Sequence, residues 1–148
     1  MWEMIWVAIL LGTFVGMEGM AWFSHKYIMH GFLWSWHKDH HIKDHDSWFE
    51  RNDRFFIFYA FISTGLVLSW GELGFWAGLP MGIGIFLYGL TYFLVHDIFI
   101  HQRFKIFRNS NSRYAKGIRR AHKIHHKNIH KDQGECFGML WVPRKYFK

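Results

Sequence analysis

Twelve of the 148 residues are histidine, and ten of them fall into two copies of one pattern. The first copy is His25-x4-His30 followed by His37-x2-His40-His41, and the second is His96-x4-His101 followed by His122-x2-His125-His126. Imidazole is the commonest protein ligand for redox metals, so a repeated cluster of this density reads as a metal centre. Ten donors are too many for one ion. Two ions with about five nitrogens each fit the count and leave a position open for a reactant. Zinc settles for four ligands, or for three and a water. Five or six nitrogens suit iron, which also gives one-electron chemistry with dioxygen. Imidazole binds zinc tightly as well, so a purified sample can carry zinc in the place of iron.

The spacings constrain how the rings are presented. His37, His40 and His41 stand at i, i+3 and i+4, as do His122, His125 and His126, and such a triplet projects from one helix face and can cap a metal from one side. A pair five apart diverges by about 140° on a regular helix. His25 and His30, and likewise His96 and His101, therefore either flank a helix end or bulge, or serve different ions. His45 and His130 fall outside the repeat and read as polar packing. A heme needs only one or two axial histidines, so the count argues against one. The single cysteine, Cys136, excludes an internal disulfide and a Cys-rich metal site, and reads as a small packed residue.

Three apolar stretches must carry these residues. Met4–Phe23 contains no Lys or Arg and one acid, Glu18, while Phe55–Trp70 and Leu73–Val95 contain no charge at all. About 20 residues of helix cross a hydrocarbon core of roughly 30 Å. The predicted spans are 4–23, 55–71 and 73–95. The first lacks the basic flank and small-residue site of a cleaved signal. Of the eighteen Lys and Arg, five lie in 24–54 and thirteen in 97–148. With three spans both segments share one side, which the positive-inside rule makes cytoplasmic, leaving the N-terminus outside. All twelve histidines join them there. The expected architecture is an all-α integral membrane protein. It is one domain over 1–148, in the cytoplasmic membrane, with three transmembrane helices and a cytoplasmic helical cap formed by metal-binding segments 24–54 and 96–148.

Smaller signals refine this picture. Asn52-Asp53 suits the N-cap of the second span, Pro80 an early turn of the third, and Gly12-x3-Gly16 a close helix approach. Asn109-Ser110-Asn111-Ser112 marks a loop. The cations of Arg119-Arg120 and Lys123–Lys127 interleave with the second triplet beside the membrane. They fit an anionic membrane face or an acidic redox partner better than nucleic acid. Glu18 lies inside the first span, two turns before His25, and Asp97 adjoins His96. Either would orient a ligand imidazole by a hydrogen bond.

The order and spacing of the boxes resemble the fatty acid hydroxylase superfamily of membrane di-iron oxygenases. Glu18–His41 (EGMAWFSHKYIMHGFLWSWHKDHH), Phe49–Asp53 (FERND), Tyr88–Phe104 (YGLTYFLVHDIFIHQRF) and Arg120–Pro143 (RAHKIHHKNIHKDQGECFGMLWVP) resemble the bacterial beta-carotene hydroxylases in particular. The run from His126 to Phe137 departs from that pattern, with His130 as an addition. The resemblance implies that His25, His30, His37, His40, His41, His96, His101, His122, His125 and His126 ligate two iron ions. It also implies hydroxylation of carbon 3 of carotenoid beta-rings, from beta-carotene through beta-cryptoxanthin to zeaxanthin. Dioxygen and a donor such as reduced ferredoxin would be consumed, and some relatives accept 4-keto rings. An unactivated ring C–H has no acidic proton for a base and must be attacked by hydrogen-atom abstraction. Its carotenoid would slide from lipid between the spans into a slot lined by Phe, Trp, Met and Gly. The alternatives are a hydroxylase of another membrane lipid, an acyl chain or sterol, and a non-catalytic metal transporter or sensor. The last would require ionisable groups through the membrane core, where only Glu18 lies.

Overall fold

The computed structural model describes residues 1–106, 109–110 and 112–148. Helix α1, Trp2–Phe23, runs directly into a π-helical segment π1, Ser24–Phe32. Helix α2, Trp34–His41, turns away from it. Helices α3, Asp53–Glu72, and α4, Gly78–Tyr92, form a hairpin, and α4 continues into a second π-helical segment π2, Phe93–Ile100. Helix α5, Arg113–Lys127, is followed by an irregular strap and a 3₁₀ turn, Arg144–Phe147. No strand occurs among the described residues. Asn111 of the anticipated loop lies outside them, and Ser112 next to it caps α5 by accepting from Ala115 N at 3.1 Å.

Three continuous helices are long and apolar enough to cross a membrane: Trp2–Phe32, Asp53–Glu72 and Gly78–Ile100. The second begins two residues before the predicted boundary. The third starts five residues later than predicted, because the chain reversal consumes Leu73–Ala77 with Gly74 at φ +66°. Pro80 lies in the first turn of α4, as its fixed φ favours. The outer faces of α1 and α3 are strongly exposed apolar surface, such as Val15 at 68% and Phe61 at 74%, which suits lipid.

Helix α4 is the central element, packed against both α1 and α3. Its own glycines allow this. A Cβ on Gly82 would lie 2.6 Å from Val67 Cγ2, and one on Gly84 would lie 2.8 Å from the Leu10 carbonyl. Ser63 Oγ adds an interhelical bond to Gly82 O at 2.8 Å. Gly12 and Gly16, by contrast, meet nothing within 4 Å, so the expected close approach is made by α4 and not by that pair. Two small cores hold the ends together. Met17, Ile85, Tyr88 and Met139 join α1, α4 and the strap, while Phe99, Ala115, Ile118, Ala121, Val142 and Tyr146 join π2, α5 and the tail.

Candidate metal centre

The histidines gather into two adjoining sets. In the first, His25, His30, His37, His41 and His125 each bring a ring nitrogen within 4.8 Å of the others. In the second, His40, His101, His122 and His126 do the same. His96 packs on this second set, its ring centroid 4.8 Å from His40, 4.6 Å from His101 and 4.8 Å from His122. Stacking of His41 on His126, at 4.5 Å between centroids, joins the sets.

The pairs five apart are brought together by the π turns. A π-helix carries its hydrogen bonds from i to i+5, so residues five apart approach one above the other. His101 N donates to His96 O at 2.9 Å, and Leu33 N to Ile28 O at 3.0 Å. Near the end of π1 the chain kinks at Gly31, whose φ of −100° and ψ of −124° leave the helical region and swing α2 across the end of the bundle. A bulge therefore puts His25 and His30 in one set, and His96 beside His101 in the other.

The triplets do not act as single caps, which corrects that expectation. The i and i+4 members of each stay together, while the i+3 member crosses over. His37 and His41 join the first set and His40 the second; His122 and His126 join the second and His125 the first. On a helix, i+3 and i+4 straddle the axis line through i, so a triplet lodged between two centres splits this way. Each set thus draws on a π pair, an i/i+4 pair and one crossing residue.

Ring orientation decides what the sets can bind. The Nδ1–H groups of His25, His30, His41 and His125 donate to the carbonyls of Phe137, Lys131, Asn128 and Glu135 at 3.0, 3.0, 3.0 and 2.9 Å. His37 Nδ1 donates to Asn52 Oδ1 at 2.7 Å. A neutral imidazole holding its proton on Nδ1 has only a lone pair on Nε2. Yet Nε2 of His37 lies 3.1 Å from that of His25 and 3.1 Å from that of His41, and His30 and His125 approach at 3.3 Å. Five inward lone pairs repel unless a cation sits among them. In the second set His40 Nδ1 donates to Glu50 Oε2 at 2.8 Å and His96 Nδ1 to Asp97 Oδ1 at 3.2 Å. Nε2 of His40 and of His126 is buried without a partner. The donor chemistry of both sets fits metal ions.

Electrostatics agrees. Burial, reinforced by neighbouring imidazoles, holds His37, His40 and His122 well below the usual histidine range. Burial also lowers His41 to about 4, His125 to about 3 and His126 to about 2, and burial with Arg103 lowers His101 to about 4. These rings are neutral near pH 7, the form that ligates.

The supporting residues are mostly ones that spacing did not point to. Asn52 stands at the N-cap of α3 but makes no cap bond, because its side chain is committed to His37. Glu50 holds His40, and burial pushes its carboxyl above the ordinary range against the pull of Arg103. Arg103 ties Glu50, Asp53 and Asp97 together at 3.0, 2.8 and 3.6 Å. Buried Asp39 accepts from Arg51 N at 2.6 Å and His45 Nε2 at 3.2 Å, fixing the loop that presents Glu50 and Asn52. For Glu50, Asn52 and Asp53 the sequence signal is the charged FERND string at the edge of a span.

Of the two acids expected to orient imidazoles, Asp97 does bond His96. Glu18 reaches no histidine. Its Oε1 accepts from the backbone N–H of Met139, Leu140 and Trp141 at 3.0, 2.8 and 2.8 Å, and its Oε2 from Tyr88 OH at 2.7 Å. A carboxylate inside a span is stabilised by these donors and pins the strap whose carbonyls hold four rings. His45 pairs with Asp39, and His130 is exposed, so both lie outside the sets. Cys136 is half-buried against the tail core, and burial pushes its thiol up, consistent with packing.

A narrow cavity of about 80 Å³ lies between α1, α3 and α4 directly under the two sets. Met17, Phe55, Tyr59 and Tyr88 wall it, and His25 and His96 close its end. Ser24 Oγ and Tyr59 OH, 2.6 Å apart, are polar groups in that wall.

Residues 10–142 match the model of the fatty acid hydroxylase family. A beta-carotene hydroxylase of Pantoea ananas is 38% identical over 95% of this chain and 81% of its own length. One from a Paracoccus species is 36% identical over 91% and 83%. A chloroplast beta-carotene 3-hydroxylase of Arabidopsis thaliana is 34% identical over 93% of this chain and 46% of its own. No solved structure matches. With a family model covering most of its length and relatives of this kind across nearly all of it, the chain belongs to the fatty acid hydroxylase family.

Proposed function

We propose that the protein hydroxylates carbon 3 of carotenoid beta-rings, converting beta-carotene through beta-cryptoxanthin to zeaxanthin. Its two histidine sets would hold two iron ions at the cytoplasmic edge of the membrane, with the N-terminus outside. The observation that carries this reading is the conjunction of two oriented sets of inward lone pairs with an apolar cavity opening between spans beneath them. The names of the relatives supply the substrate class.

Each hydroxylation consumes one dioxygen, two electrons and two protons, inserts one oxygen atom into C–H and releases the other as water. Two iron ions, when bound, would supply the one-electron chemistry that an unactivated C–H bond requires. The protein's part is placement. His25, His30, His37, His41 and His125 would hold one ion; His40, His96, His101, His122 and His126 would hold the other. Met17, Phe55 and Tyr88 would clasp the ring against this end of the cavity and exclude water. The polyene would lie between the spans, parallel to α1 and α4. The exposed cations of α5, Lys116, Arg120, Lys123 and Lys127, would receive an acidic donor such as reduced ferredoxin.

The test is anaerobic iron loading of the full chain, followed by beta-carotene, a reductant and isotopically labelled dioxygen. Zeaxanthin carrying the label is expected. Untouched carotene with hydroxylation of an acyl chain or sterol would assign the site to another lipid. Metal flux across vesicles with no oxygenated product would make the chain a transporter.

A further inference from the structure

The two sets are oriented by different chemistry. In the first, every bonded Nδ1–H meets a neutral acceptor: four backbone carbonyls and the Asn52 amide. In the second, the acceptors are carboxylates, Glu50 for His40 and Asp97 for His96. Glu50, Asp53 and Asp97 share the single guanidinium of Arg103, so three carboxylates stand against one cation. All four side chains are largely buried, at 10–21% exposure. Among the described residues no carboxylate accepts from a ring of the first set, and the acid that acts on it, Asp132 of the strap beside His30, is exposed to solvent.

A carboxylate acceptor draws the Nδ1 proton more strongly than a carbonyl does and so makes Nε2 a better donor to a metal. The surplus negative charge also acts on a divalent ion through a medium of low dielectric, where it is poorly screened. Both effects have one sign.

We propose that the two cation positions are unequal: the set of His40, His96, His101, His122 and His126 takes its ion first and holds it more tightly. This inference rests on the reading of the two sets as a two-ion centre and deepens it. Glu50 and Asp97 are then positioning residues that act through His40 and His96, with Arg103 keeping the carboxylates in place.

The experiment is a titration of metal-free full-length protein in detergent with Co²⁺, read by the visible absorption of the bound ion. The wild type is expected to bind two ions in steps at least about 10-fold apart in affinity. Glu50→Gln should weaken the tighter step by about 10–100-fold and spare the weaker one, whereas Asn52→Ala should weaken the other step alone. Asp97→Asn repeats the first test at an independent position. Two steps of equal affinity in the wild type, or a Glu50→Gln shift confined to the weaker step or shared by both, would overturn the inequality and leave the two-ion reading standing. Fewer than two Co²⁺ bound by the wild type would overturn both.

Discussion

The two histidine sets are built from the same parts, a π pair, an i/i+4 pair and one crossing residue, yet they lean on different portions of the molecule. The first is fastened by the C-terminal strap, which is remote in sequence from most of its rings and is itself pinned by Glu18 in the first span. The second is fastened by charged side chains around the start of α3 and the end of π2. A repeated ligand pattern therefore does not imply a repeated support. One set is vulnerable to anything that lifts the strap, the other to anything that unbalances the charges around Arg103.

The sharpest way to break this comparison is to remove a crossing residue. His125→Ala should empty the first position although His125 is carried by the helix of the second, and His40→Ala should do the reverse. Each should leave about one metal ion per chain and lower turnover by at least about 100-fold, as metal analysis and product formation would show. Next in size is Arg103→Leu, which strands Glu50, Asp53 and Asp97 together. Thermal unfolding in detergent should register a loss of about 3 kcal/mol, and metal loss should begin at the second set.

Glu18→Ala should act on the other half. It leaves three strap N–H groups and Tyr88 OH without their acceptor, for an expected cost of about 2 kcal/mol, with preferential loss of the first ion. Equal loss from both sets would show that the strap supports the whole cap.

Acidification should not discriminate between the halves, since both contain rings held neutral by burial. Folded values of about 2 to 4 for His41, His101, His125 and His126 lie below the unfolded value near 6.5. The unfolded chain therefore binds more protons in between. Stability of the metal-free protein is fully present above about pH 6.5 and falls as the pH drops toward 4, measurable as a declining melting temperature. The smallest effect is expected at Cys136→Ala, which should change turnover by less than about two-fold, because the thiol faces the tail core and Tyr146.

Much of this was legible in the chain itself. Hydropathy located three spans, and the doubled spacing picked out all ten rings that meet in the fold. Hydropathy starts the third span at Leu73, five residues before α4 begins, because apolar residues of a tight reversal look like more helix. Periodicity at 3.6 left the pairs five apart unresolved, since a π turn has no sequence mark of its own. The splitting of the triplets was hidden for a related reason: a shared helix face says which residues are neighbours, not that two centres lie on either side of it. Asn52 read as a cap because Asn commonly caps, and only the tertiary position of His37 redirects it. Glu18 stands out in the sequence as an acid in a span, but it is only half-buried, and its partners are Tyr88 and backbone groups 121 to 123 residues away, which no local pattern shows.

The most direct test of the two-ion centre is X-ray absorption on the iron-loaded full-length protein, with iron counted per chain. Two irons in shells dominated by imidazole nitrogen, falling to one in His125→Ala and in His40→Ala, are the predicted result. A single iron, shells dominated by oxygen or sulfur, or an iron content indifferent to both substitutions would contradict it.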